Sequence, residues 1–542
     1  MPILVVETLN SRLLKRRSPA LSSTQASEEA VPRCQTRFHT IDIPLLVPTM
    51  AAKSDSIHDV DPEKLDVSDK VEPSNNELVP TIEYTPAEER SLVWKQDLTI
   101  IPLSAYIYFL CFFDRSNIGN AKVLNSSTKN DMQTEIHATP YQFNIALMIF
   151  LVGYAIFEVP SNILLKKLRP SRWLAFLMFS WGVITIGLGG VTSFASTTAV
   201  RFLLGVFEAG LFPGLVYYLT FWYKTDERSV RVAFILASAT LAGAFGGAVA
   251  YGIGHMNGTR GMSAWRWLFI LEGLPSCLSA LLVWFFLPDY PEEWRSLNPR
   301  QREIALARLR VEGSKSHHRS MTKADAVATL KDWRLYGHYL IYFGVGVPFS
   351  SLSLFAPSVV SGLGYTDLRA QLMTVPPYAV AYVTQILVSW SADHFNARGL
   401  HTAVFALVGA VGFTASAVLP PDAFEKRYGC FIVAAAGAFA CIPPMLGWLT
   451  SNVYSTAAVG LAVAINVSFG AGIGQMPGVW IYKADEAKMG YPTGHWVNAG
   501  MLFFVCVGAS GLRVFYGRRN KRLVQEAKAE RRDLSEVRLF RL

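Results

Sequence analysis

From residue 98 onward the chain is a succession of long apolar runs separated by short polar connections. A window of about 19 residues places apolar segments at 98–121, 141–165, 173–194, 199–223, 231–254, 266–287, 335–362, 371–392, 401–419, 430–450, 456–482 and 496–515. Each is close to the roughly 20 residues that a helix needs to cross a hydrocarbon core. One polar stretch, residues 288–334, is far longer than the other connections and divides the segments six and six. The pattern predicts an all-α membrane protein of about twelve transmembrane helices in two six-helix bundles, 98–287 and 335–515, with 288–334 as a cytoplasmic linker. Two helical halves about a linker is the layout of repeat-built secondary transporters.

The ends read differently. Residues 1–97 hold no run of spanning length, and between residues 51 and 90 eleven acidic residues face four basic ones, with Pro62, Pro73, Pro80 and Pro86 discouraging helix. A disordered cytoplasmic tail is expected there. The first 49 residues are mildly basic and lack the apolar core and cleavage site of a secretory signal. Met50, followed by AAKSDS, is a candidate start, which makes 1–49 a candidate gene-model extension. Residues 516–542 form a basic tail.

Composition narrows the class. Of 542 residues only 17% are charged, against about 25% in soluble proteins, while 51% are hydrophobic and 12% aromatic. Such an inventory cannot cover a set of soluble domains with a polar surface, and it excludes disorder throughout, collagen and a disulfide scaffold. The formal net charge of +9 would suggest nucleic acid on a soluble protein. Here the basic residues sit in short connections: Lys166, Lys167, Arg169 and Arg172 after the second segment, ten in Arg295–Arg334, and ten against four acids in Arg513–Arg541. That places both termini in the cytoplasm and sets nucleic acid aside. The sequons at Asn125 and Asn257 then fall outside, where glycosylation is open to them, while a third at Asn466 lies within a span.

A charge at the bilayer centre costs about 2.5–3.5 kcal/mol on insertion scales, so the few inside the spans carry information. They are Asp114-Arg115 in span one, Glu158 in span two, Arg201 and Glu208 in span four, and Arg266 and Glu272 in span six. Arg201 and Glu208, two helical turns apart, share a face and can share a polar cavity. Asp114 and Arg115 point about 100° apart, so they cannot hide against one neighbour and suit a titrating carboxylate beside an anion-binding cation. Arg266 and Glu272, bracketing the outer end of their span, read as structural.

DRSNIGNAK in span one, RFLLGVFEAGLFPGLVYYLTFWYKTDER across span four and WRWLFILEGLPS in span six resemble the anion:cation symporter branch of the major facilitator superfamily. More narrowly, the chain is similar to the fungal allantoate permease group, which includes nicotinate, pantothenate and biotin carriers. The resemblance covers roughly residues 90–515. It implies a twelve-helix carrier, monomeric, working by alternating access and moving small organic anions with protons, with no cofactor; the plasma membrane is the expected location, with the vacuole as the alternative. It also implies that Asp114, Arg115, Arg201 and Glu208 form the proton and anion machinery.

The chemistry fits without the family. A carboxylate beside an arginine stays ionised; when an anionic substrate engages the arginine, the carboxylate is released to take a proton, linking the two uptakes. Asp114 and Glu208 are read as proton-coupling residues. Arg115 and Arg201, with Asn117, Tyr342 and Asn466, are read as substrate-binding; Phe343 and Gln475 are further guesses. Glu158, Asp393 and Arg398 are read as gating, the last two in the SADHFNARG inner-loop motif, whose first-half counterpart is reduced to KKLRPSRW. The chain departs from the family pattern at Thr456-Ala457-Ala458, where a basic pair is expected after SNV.

Three other classes are weaker. A membrane enzyme would need a metal cluster or a nucleophile with its base, yet the six Cys show no C-x-x-C and the ten His no H-E-x-x-H. A proton-driven drug exporter usually carries a Gly-Pro signature in span five, and TLAGAFGGAVAYGIG has the glycines without the proline. A non-transporting nutrient receptor has only the 456–458 departure in its favour.

Overall fold

The computed structural model describes residues 83–311, 323–365, 367–453, 456–530, 537 and 539–542. The expectations for residues 1–82, Met50 included, lie outside the described residues. Among those described, every regular element is helical. Twelve helices are long and apolar enough to cross a membrane: α1 (Pro86–Val123), α2 (Pro140–Leu165), α3 (Pro170–Leu188), α4 (Phe194–Leu219), α5 (Val230–Gly254), α6 (Ala264–Phe286), α7 (Trp333–Gly362), α8 (Leu368–His394), α9 (Arg398–Val418), α10 (Phe424–Asn452), α11 (Val459–Trp480) and α12 (Pro492–Ala529).

Two helices outrun the apolar signal. Helix α1 starts at Pro86 because Thr85 and Glu88 form a reciprocal capping box and proline suits the first turn, so Pro86 opens a helix that it was expected to discourage. Residues 86–97 are therefore helical and not part of a disordered tail. Helix α12 runs on to Ala529 through RRNKRLVQEAKA, a stretch of good helix formers.

The packing gives the two bundles. In the first, α3 lies along α6, α2 along α4, and α1 along α5 and α6; in the second, α9 packs on α10 and α12, α8 on α10, and α7 on α12. They meet where α1 faces α7, α5 faces α8 and α10, and α2 and α4 face α11. Outward surfaces are apolar: on α6, Leu274, Leu278, Leu281 and Phe285 are exposed, while Glu272, Ser276 and Ser279 on the opposite side are buried. Such a surface is at home in hydrocarbon.

One end of the molecule, here the linker face, carries the α6–α7 connection. A linker helix, Pro299–Val311, seats Ile304 and Ala305 on Leu92 of α1. Its Arg308, 1% exposed, bonds Glu89 of α1 through Nε at 2.7 Å and Glu227 of the α4–α5 connection through Nη2. Arg308→Ala leaves two carboxylates that are each about a quarter exposed and can hydrate. The expected cost is about 1–3 kcal/mol, read as a lower thermal midpoint that Arg308→Lys partly restores. At the same face the chain end returns onto the second bundle: Trp448 Nε1 donates to the Arg541 carbonyl at 2.8 Å and Phe540 stacks on Tyr516.

Candidate functional site

The site is built from close helix contacts. A side chain at Gly205 of α4 would place its first carbon 2.2 Å from the Phe150 carbonyl oxygen of α2, so glycine is what lets these two backbones meet. That contact pushes the Phe150 ring between the first-bundle arginines: it lies 5.1 Å from the Arg115 guanidinium carbon and 4.8 Å from that of Arg201. Tyr154, one turn on, covers Arg115 from 4.6 Å. Helix α4 breaks just past Glu208, where Gly210 takes a left-handed φ of 78°.

Arg115 Nε donates to Glu208 Oε2 at 2.8 Å, an ion pair with side chains 7% and 0% exposed. The Cys111 thiol points at the same oxygen from 3.6 Å, and Glu208 Oε1 has no partner. This corrects the pairing expected from sequence. Asp114 does not serve Arg115; it turns into the first bundle, where Trp181 Nε1 and Ser276 Oγ donate to its Oδ2 at 3.1 and 2.7 Å. Nor does Arg201 reach Glu208: its Nε and Nη1 have no partner, and it faces the Phe150 ring.

Arg115 lines a narrow cavity between the bundles. Its wall is largely aromatic and aliphatic, with Tyr108, Tyr154 and Phe212 from the first bundle and Tyr342, Phe349 and Gln475 from the second. Tyr342 and the guess at Gln475 thus fall on the wall. Asn117, Arg201, Asn466 and Phe343 do not: Asn117 accepts from Asn120 and faces Gly246 of α5, and Asn466 is buried at 2% exposure. Tyr108, Tyr154 and Phe349 were missed, although Phe150, Tyr154 and Glu158 form a stripe at four-residue spacing that points to one face.

The far wall is formed by α11, whose regular turns give way to a π-helical stretch at Ser468–Gly472 and a 3₁₀ turn at Ile473–Gln475. Gly470 packs on the Tyr342 ring, and a side chain at Gly346 of α7 would strike the Gly470 carbonyl oxygen at 2.2 Å. Across the bundle interface Ser468 Oγ donates to Glu158 Oε2 at 2.8 Å. Residues 105–479 match the description of the Major Facilitator Superfamily.

The chain belongs to this superfamily.

Among its relatives is the MFS transporter prlL of Fungal sp. (strain NRRL 50135), 68% identical over 452 residues that cover 83% of this chain and 90% of that one. The putative tartrate transporter of Agrobacterium vitis is 31% identical over 60% of this chain and 72% of its own length. The fold is shared with the xylose transporter XylE from E. coli; the structure of this proton:xylose symporter bound to 6-bromo-6-deoxy-D-glucose has a TM-score of 0.60 at 18% identity, covering 76% of this chain and 95% of XylE. Facilitators are transporters and not enzymes.

The other sequence-derived residues of this facilitator sit apart from the cavity. Arg398 Nε pairs with Asp393 at 2.6 Å and also bonds Ser451, tying the α8–α9 turn to the end of α10 at the linker face. Arg169 of the reduced first-half motif pairs with Glu293 at 3.2 Å. Arg266 is structural as expected, held by Glu135 at 3.2 Å and the carbonyls of Gly189 and Val191 at 3.0 Å. Glu272 does not join it; both its oxygens are buried without partners. The side chains of Thr456, Ala457 and Ala458, where the family pattern is broken, lie outside the described ones.

Proposed function

We propose that this facilitator is a proton-coupled carrier of an organic anion with an apolar body, Arg115 meeting its carboxylate and Glu208 carrying the coupled proton. The observation that carries the reading is a single guanidinium in the wall of a largely aromatic and aliphatic cavity, paired with a carboxylate that has one oxygen to spare. An arriving carboxylate competes with Glu208 for Arg115. Once displaced, Glu208 loses its hydrogen bond from Arg115 and takes a proton, so anion and proton are bound together. Phe150 and Tyr154 hold the guanidinium plane in place while the partner changes.

An aromatic wall suits ring or hydrocarbon substituents, so nicotinate and pantothenate are the first small carboxylates to try, with allantoate as the polar comparison. The named tartrate relative supports an anionic cargo. The basic linker face is assigned to the cytoplasm, the direction to uptake at the plasma membrane, and the monomer as the working unit. Glu158 and the Asp393–Arg398 pair are assigned to gating, the first because its hydrogen bond to Ser468 crosses the bundle interface and must break when the bundles part.

The first test needs no transport. Purified protein is melted with each of nicotinate, pantothenate, allantoate and tartrate. A binder raises the midpoint in proportion to the logarithm of its concentration, and Arg115→Ala removes the shift. A midpoint shift that survives in Arg115→Ala rules out the assigned contact.

A further inference from the structure

A second cation of α1 stands on the bundle interface beyond the cavity wall. Lys122 follows Arg115 by two helical turns, so the two side chains leave α1 on one face, about 10 Å apart along its axis and with Lys122 toward the end opposite the linker. The α1–α2 connection reverses the chain, and the matching step on α2 runs backward from Phe150 to Phe143. One arrangement is thus repeated: the Arg115 guanidinium stands over the Phe150 ring at 5.1 Å, and Lys122 Nζ over the Phe143 ring at 5.4 Å. On its other side Lys122 Nζ is 5.3 Å from the ring of Phe355, which belongs to α7 of the second bundle. Gly119 lets that ring approach, since a side chain there would run into the Leu354 carbonyl of α7. Phe355 is backed in turn by Tyr482, stacked on it at 5.5 Å.

The Lys122 charge is unspent. Arg115 has Glu208, whereas Lys122 makes no hydrogen bond or ion pair among the described residues and is only half-buried. Acids of the adjoining connections are committed elsewhere. Asp131 accepts from the backbone and hydroxyl of Thr134, Glu135 holds Arg266, and Glu486 accepts from the backbone and hydroxyl of Thr493. A lysine in the last turn of a membrane helix ordinarily runs an apolar stem out to water. Here rings from opposite bundles flank the ammonium; they favour a cation over their faces but leave its N–H donors without acceptors. An anion arriving there meets an unopposed charge and can take charge-assisted hydrogen bonds.

We propose that Lys122 is a second anion station, taking the carboxylate or sulfonate of a small organic anion at the end of the bundle interface opposite the linker and presenting it to Arg115. This station deepens the anion-carrier reading and rests on it. Phe143 stays with the first bundle and Phe355 with the second, so parting of the bundles at this end draws one ring away and bares the ammonium, and their return covers it. No covalent bond changes; the cargo exchanges one cation for the next. A positive charge at the mouth of a low-dielectric passage concentrates anions there by about 10- to 1,000-fold at low salt.

Phe355→Cys puts a thiol where the second ring stood. Its modification in the purified full chain is timed with sulfonatoethyl methanethiosulfonate, an anion, and with the trimethylammonium reagent of the same type, a cation. Each rate is divided by that reagent's rate with free cysteine, and the chain with Phe355 intact corrects for the native cysteines. With Lys122 present the anionic reagent is expected to be favoured by about 10-fold or more at low salt, a preference that shrinks toward 1 M salt, where charges are screened within about 3 Å. Lys122→Arg keeps the preference and Lys122→Gln abolishes it; Lys122→Met, which keeps the unbranched stem, serves if Lys122→Gln fails to fold. In uptake of a carboxylate identified by its midpoint shift, Lys122→Gln with Phe355 intact raises KM about 10-fold, more than it lowers kcat. A normalised ratio of one with Lys122 present, a ratio that Lys122→Gln leaves unchanged, or a thiol that neither reagent reaches overturns the proposal, as does a fall in kcat at unchanged KM. The reagent rates use no substrate, so failure of the Arg115 reading would show as a missing midpoint shift and leave this ratio unaffected.

Discussion

Arg115→Ala lowers the apparent affinity for the transported carboxylate by roughly 10- to 150-fold, the worth of a hydrogen bond to a charged group at about 1.5–3 kcal/mol. The fold should survive, because Glu208, deprived of its partner at 2.8 Å, can take a proton and avoid standing as a buried anion. Arg115→Lys keeps the charge but not the Nε donor that reaches Glu208, nor the planar group between Phe150 and Tyr154, and falls between the two. Concentration dependence of uptake in proteoliposomes reads the effect as a raised KM. An unchanged KM in Arg115→Ala removes Arg115 from the anion site.

Glu208→Gln separates movement of the anion from its drive. Glutamine preserves the size of the side chain and an oxygen for Arg115 but cannot release a proton. Exchange of labelled for unlabelled anion at equal pH should continue, while accumulation driven by an acid exterior should collapse. The size of the collapse follows from the membrane potential: each charge moved across about 100 mV is worth roughly 2.3 kcal/mol, or about 50-fold in concentration ratio. Retained pH-driven accumulation in Glu208→Gln would place the coupling proton elsewhere.

Hydrophobic spacing alone made most of the fold legible. Twelve apolar segments, the long polar interruption and the intramembrane charges correspond to twelve helices, a linker helix and a buried ion pair. What the spacing could not tell was which partner each charge chooses. Asp114 and Arg115 look like a pair because they are adjacent, yet the 100° step between helix neighbours sends one to Trp181 and Ser276 and the other to Glu208. Arg201 and Glu208 share a face at heptad spacing, but the Phe150 ring, admitted by Gly205, takes the place in front of Arg201.

Local breaks were equally hidden. The left-handed turn at Gly210 and the π-helical stretch at Ser468–Gly472 are tertiary outcomes of glycines meeting backbone, and nothing in an apolar run marks them. Pro86 shows the reverse error: its position one residue after Thr85 and two before Glu88 was a helix start, legible as a capping box, that a count of prolines obscured. The cavity wall is the hardest to read from sequence, because Tyr342 and Phe343 are neighbours of similar character and only one faces the space.

Coupled movement of anion and proton is the centre of this account, and proton entry into liposomes is its direct measure. Protein is reconstituted with a pH-sensitive dye inside, and a carboxylate identified by its midpoint shift is added outside with no pH gradient imposed. Acidification of the lumen on anion addition, present in the wild type and absent in Glu208→Gln, is the expected result; anion entry without acidification, or a lumen that turns alkaline, would contradict it.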